Sequence, residues 1–128
     1  MRSVALALTL VSLAAPAQQK PKKPADVRVL ETRARREEGK INVDGKVKVT
    51  SDKPLRGLVV VFDFRSPEKQ VVTTQMTTVD EELLENGREG VYHVEMVDAA
   101  RAVTYTMRAF DIHDRELRLE NMGPFPIE

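Results

Sequence analysis

Residues able to do chemistry are few and scattered along this chain of 128 residues. Asp111, His113 and Asp114 form a D-x-H-D cluster. In an extended register Asp111 and His113 point the same way, and with His93 they could offer ligands to a divalent metal. No second histidine stands at ligand spacing, so an exposed polar turn is the preferred reading. Asp80, Glu81, Glu82 and Glu85 make an acidic stretch. It lacks the D-x-D-x-D-G order of a calcium loop. Acids so placed complement the dipole at the start of a short helical turn. A paired-carboxylate hydrolase would also need one acid held in an apolar cleft, and these acids read as solvated. The chain has no cysteine, hence no thiol nucleophile. Ser51 and Ser66 lie in turn sequences outside any G-x-S-x-G. With His93 and His113 as the two histidines, no serine triad is expected. There is no glycine-rich phosphate loop. The reading is therefore no catalytic residue, no cofactor-binding residue, no metal ligand and no cofactor.

The N-terminus carries a different signal. Arg2 precedes the apolar run Val4–Leu13, and Ala15-Pro16-Ala17 fits the small-x-small cleavage rule. That is the layout of a signal peptide, residues 1–17, cut after Ala17. The run is too short to span a bilayer, which takes about 20 residues, so no membrane span is expected in the mature chain. The expected location is secreted or periplasmic. Residues 18–26 read as a flexible basic linker rich in lysine and proline. Without Arg2, 19 basic side chains face 20 acidic ones. That balance gives no reason to expect nucleic-acid binding. Without disulfides, the core alone must stabilise the fold.

The elements that would position any site are strands. Gly57–Phe64 is the longest apolar run beyond the N-terminus, flanked by turn formers, and reads as a central strand buried on both faces. Leu58, Val60, Phe62 and Phe64 share the core face, with Asp63 emerging at water. Ile41–Val49 alternates cleanly and reads as one strand through Asp44-Gly45, with Gly45 marking a bulge or a close neighbour. Val27–Arg35 reads as a first strand with a switch of face in its middle. Gly39 closes the hairpin that follows. Val71–Val79, rich in threonine and poor in large apolar groups, reads as an edge strand. Asp80–Asn86 reads as a single helical turn, with Leu83 and Leu84 capping the core. Glu89–Val97, Ala102–Phe110 and Glu116–Glu120 complete seven short strands. Met76, Met96 and Met107 read as core fillers, and Tyr105 as a core residue or a corner tyrosine bonded to the preceding loop. Strands at this spacing without βα alternation predict an all-β, immunoglobulin-like antiparallel β-sandwich over residues 27–121, with a C-terminal tail over 122–128.

The stretch Gly45-Lys46-Val47-Lys48-Val49-Thr50-Ser51-Asp52-Lys53-Pro54-Leu55, followed by the Leu58–Phe64 run, resembles the FxLYD-type domains. These are immunoglobulin-like β-sandwich modules of exported prokaryotic proteins. Gly45, Val47, Ser51, Asp52, Pro54 and Leu55 fit the strand and turn of that pattern, and Phe62 and Phe64 fit its signature. Val49 stands where the family has asparagine, and Arg65-Ser66 replaces its Tyr-Asp pair. The resemblance covers about Val43 to Phe110. Its residues determine packing, so it implies the sandwich and the exported setting and no catalytic role.

The functional expectation is a non-catalytic exported module, protein-binding or structural in the cell envelope, with an envelope or extracellular protein as partner. The Val71–Val79 edge is the expected contact. A carbohydrate-contacting domain is the alternative, ranked lower because the chain has no tryptophan and Tyr92 and Tyr105 lie on core-like strands. A metal-binding enzyme ranks last. Neither the partner's identity nor the oligomeric state is written in the sequence.

Overall fold

The computed structural model describes residues 24–128. The expected signal peptide, residues 1–17, and the linker as far as residue 23 lie outside the described residues. The chain is all-β, with no helix among the described residues. Six long strands carry it: β1 (Val27–Glu37), β2 (Lys40–Val49), β4 (Val59–Arg65), β5 (Val71–Thr78), β7 (Glu89–Val97) and β8 (Thr104–Phe110). Five two-residue strands join them: β3 (Leu55–Arg56), β6 (Leu83–Leu84), β9 (Glu116–Leu117), β10 (Leu119–Glu120) and β11 (Phe125–Pro126).

Of the two large sheets, one has the order β10-β1-β2-β7 and the other β11-β8-β4-β5, with β9 also on β8, while β3 and β6 form a small third sheet. All pairs of long strands are antiparallel, whereas β10 runs parallel to β1. The two sheets face each other across one core. Leu58, Val60, Phe62 and Phe64 are fully buried, as alternation predicts. Phe62 meets Tyr92 of the opposite sheet at 5.6 Å between ring centroids. Burying each such side chain contributes about 1.5–3 kcal/mol, which is why this strand sits between β5 and β8 and not at an edge.

Local chemistry explains the first sheet. Glu38 and Gly39 take positive φ values of 51° and 78° and close the β1–β2 hairpin at Glu37–Lys40. The face switch in β1 is a bulge between Val29 and Glu31. It lets Val27 and Val29 point inward before it and Ala34 after it. Strand β2 continues unbroken through Gly45.

Four expectations are corrected. Asp80–Asn86 forms no helical turn, because its leucines instead make β6, which pairs Leu84 with Leu55 and Leu83 with Arg56. Leu84 is buried, and Leu83 points out. Glu116–Glu120 is not one strand. The chain changes sheets at Arg118, with β9 on β8 and β10 on β1. Asp26 holds that crossing, accepting the Arg118 N–H at its carboxylate (2.9 Å) and donating its own N–H to the Arg118 carbonyl (2.8 Å). Asp63 does not emerge at water, being 6% exposed. Met76 is no core filler, being 63% exposed on the outer face.

Candidate functional site

The residues singled out for chemistry are separated or already engaged. Asp111 uses its carboxylate to build the turn before β9. One oxygen accepts the N–H groups of His113 (2.8 Å) and Arg115 (3.0 Å), and the other accepts Arg115 Nε (3.0 Å). Burial works against the charge, but the two backbone N–H groups and the nearby cations outweigh it and hold this carboxyl below its ordinary range. His113 and Asp114 lie on the same exposed turn, and His93 lies exposed on β7 of the other sheet. No three His, Asp or Glu groups converge as metal ligands among the described residues. Ser51 and Ser66 accept the backbone N–H groups of Lys53 and Gln70. Of the acidic stretch, Glu81 pairs with Arg88 at 3.1 Å.

The two tyrosines are buried in the core, Tyr92 bonding across strands of its own sheet and Tyr105 bonding to the opposite sheet. Tyr92 lies opposite Gly45 in the β2–β7 pair. Its hydroxyl crosses Gly45 to donate to the Glu31 carbonyl at 3.0 Å. Tyr105 shares a hydrogen bond of 2.7 Å with Thr32 of β1. Its partner is thus the opposite sheet, not the preceding loop expected of a corner tyrosine. Burial pushes both hydroxyls above the ordinary tyrosine range.

The edges of the two sheets differ sharply. On one side, the C-terminal segment covers β1 and β8. Besides β9, β10 and β11, Glu128 donates its N–H to the Ala34 carbonyl and accepts from Arg36 N–H. Ile127 and Met122 likewise bond to Val103 and Met107. Tyr105 stacks on Phe125 at 5.4 Å. On the other side, β5 and β7 end their sheets with no further strand among the described residues. Part of β7 is covered. Val79 and Leu84 pack on its inner face at Gly90, where an added methyl would clash with Val79 Cγ1. Asp80 N–H also donates to the Val91 carbonyl (3.0 Å).

Among the described residues, strand β5 is therefore the long edge left open, at the end of its sheet as its composition predicts. Val79 N–H donates to the Leu58 carbonyl (2.9 Å). Antiparallel pairing alternates, so Thr77, Gln75 and Thr73 also turn their backbone groups toward β4. Thr78, Met76 and Thr74 turn theirs outward. Their side chains lie on the outer face opposite Val59, Val61 and Asp63.

That outer face has its own small cluster. Val61 is buried though it faces away from the core, under neighbours that include Met76, Arg108 and Phe110. Arg108 reaches Asp63 with two hydrogen bonds, 2.8 and 3.1 Å, and lies 5.7 Å over the Phe110 ring. Thr74 donates to the same carboxylate at 2.9 Å. A shallow depression of about 340 Å³ results, lined by Val59, Val61, Thr74, Met76, Arg108 and Phe110. This cluster was not anticipated from the sequence. Its signal was there: Arg108 and Phe110 share the parity opposite Tyr105, Met107 and Ala109.

No protein-family model matches the chain, and no curated protein matches it. Among solved structures, IrmA from Escherichia coli is similar at TM-score 0.53 and 13% identity, over 80% of this chain and 95% of that one. The alkylpurine DNA glycosylase AlkC from Pseudomonas fluorescens gives a TM-score of 0.42 at 12% identity, over 77% of this chain and 32% of that one. A β-glucosidase from Kluyveromyces marxianus gives 0.41 at 15% identity, over 82% of this chain and 14% of that one. The likeness to IrmA is one of fold, an all-β arrangement shared along most of both chains.

Proposed function

We propose that the chain is a non-catalytic, exported, immunoglobulin-like β-sandwich module that binds a protein of the cell envelope or extracellular space by accepting a strand at the β5 edge. The observation that carries this reading is the asymmetry of the edges. The C-terminal segment closes β1 and β8, whereas β5 presents the outward backbone groups of Thr74, Met76 and Thr78 over its length. An added strand would satisfy those groups and lay alternate side chains beside Thr74, Met76 and Thr78 on the outer face. The exported setting rests on Arg2, the Val4–Leu13 run and Ala15-Pro16-Ala17.

Proline separates the edge from the fold. Met76 and Thr74 do not use their N–H groups toward β4, so proline there removes an edge donor and leaves the ladder intact. Cross-linking in the native envelope should recover a partner with the wild-type chain. Met76→Pro and Thr74→Pro should lose it while circular dichroism and the melting transition persist. Equal recovery with folded proline variants would exclude the edge. Export has its own check. A chain beginning at Gln18 should be found outside the cytoplasm, and an intact N-terminus there would contradict cleavage after Ala17.

A further inference from the structure

We infer that the β5 edge pairs with a second copy of the chain, antiparallel about a two-fold axis, when no other strand occupies it. This rests on the edge reading above and names its partner. The first ground is what β5 lacks. Residues 70–79 (QVVTTQMTTV) contain no charge and no proline, in a chain that is 31% charged. Edge strands are ordinarily protected by lysine, proline or an inward charge. The other open edge, β7, carries Glu89, His93 and Glu95. Strand β5 has none of these guards, and a like copy meets no repulsion along it.

Charge at the two ends supplies the second ground. Arg65 and Lys69, with Glu68, precede β5, and Asp80, Glu81 and Glu82 follow it. An antiparallel neighbour must therefore be basic before its uncharged stretch and acidic after it. Strand β5 meets that description itself. Two copies set antiparallel bring each basic end to an acidic one, whereas a parallel pair would set acid against acid.

Geometry limits the register. The outward backbone groups belong to Thr74, Met76 and Thr78, all with side chains on the outer face. A two-fold axis normal to the sheet keeps the outer faces together, so these residues must oppose one another. Met76 then lies against Thr74, Met76 or Thr78 of the second copy. The result is an isologous contact in which the two outer-face strips become continuous and Met76, 63% exposed in one copy, is covered.

Cysteine scanning is clean here because the chain has no cysteine. Opposed residues in a hydrogen-bonded pair have Cα atoms about 5.5 Å apart, inside the range a disulfide spans, about 4.4–6.8 Å. Mild oxidation should link Met76→Cys, alone or mixed with Thr74→Cys or Thr78→Cys, and spare Val97→Cys on β7. Sedimentation of the chain as processed in the cell should show dimers that grow with concentration. Met76→Lys and Met76→Glu should each sediment as monomers, and their equimolar mixture should restore the dimer. A wild-type monomer at all attainable concentrations would overturn the inference. So would a dimer indifferent to Met76→Lys and linked equally well through Val97→Cys. The two readings fail differently. A monomeric chain whose Met76→Pro variant still loses its envelope partner would leave the edge standing and remove the self-pairing. Unaltered capture by a folded Met76→Pro variant would remove the edge reading itself.

Discussion

Gly45 is glycine because no space exists for a side chain. A methyl there would come within 2.0 Å of the Glu31 carbonyl oxygen and 2.5 Å of the Tyr92 hydroxyl. The carbonyl belongs to the β1 bulge and cannot move without disturbing the β1–β2 register. Gly45→Ala should therefore lower stability by about 3 kcal/mol or more, read as a lower urea midpoint. Tyr92 is the other half of this contact. Burial keeps its proton on in the folded chain, whereas the unfolded chain ionises near pH 10. A folded pKa raised in this way leaves stability unaffected below about pH 10 and erodes it above. Tyr92→Phe should cost about 1 kcal/mol at neutral pH through the lost hydrogen bond. It should also flatten the alkaline decline, leaving the part due to Tyr105. Urea unfolding across that pH range measures both. On the outer face, Arg108→Ala would leave the nearly buried Asp63 with Thr74 as its remaining side-chain donor. A loss of about 1–3 kcal/mol is expected, moderated because Arg108 itself is half exposed.

At the scale of elements, alternation was the legible part. Burial of Ile41, Val43, Val47 and Val49, or of Tyr105, Met107 and Ala109, follows from period two, which a strand imposes whatever its neighbours are. Asp80–Asn86 carries helix-capping residues that also suit loops, and the pairing of Leu84 with Leu55 across distant sequence overrides them. The Asp111 turn is local, yet its purpose was hidden. A carboxylate read as part of an exposed polar turn, and weighed against a metal ligand, is buried and is the acceptor that shapes the loop. Its pKa is lowered, so its contribution is present above the ordinary carboxylate range near pH 3.9 and fades as acid protonates it. Asp111→Ala should raise hydrogen exchange at the His113 and Arg115 amides about tenfold at neutral pH. In wild type the same protection should fall on acidification.

The whole molecule is closed on one side by its last residues. Removing residues 122–128 would take away β11, the Ile127 bridge to Ala34 and the Glu128 bonds, uncovering β1 and β8. Lower stability and concentration-dependent association are expected, by thermal unfolding and light scattering, since two more edges would lie open. The outward and inward faces of the strands, the hairpin at Gly39, the central place of Gly57–Phe64 and the edge character of Val71–Val79 were all determined by the chain's own pattern. Side-chain direction in a strand is local, and the size and polarity of each residue report it. Which edges the C-terminal segment covers, why Asp63 can be buried, where Met76 points and why Gly45 has no room for a side chain were decided by tertiary structure alone. Each depends on a partner on another strand, Arg108 for Asp63 and Glu31 with Tyr92 for Gly45, and no local periodicity carries that information.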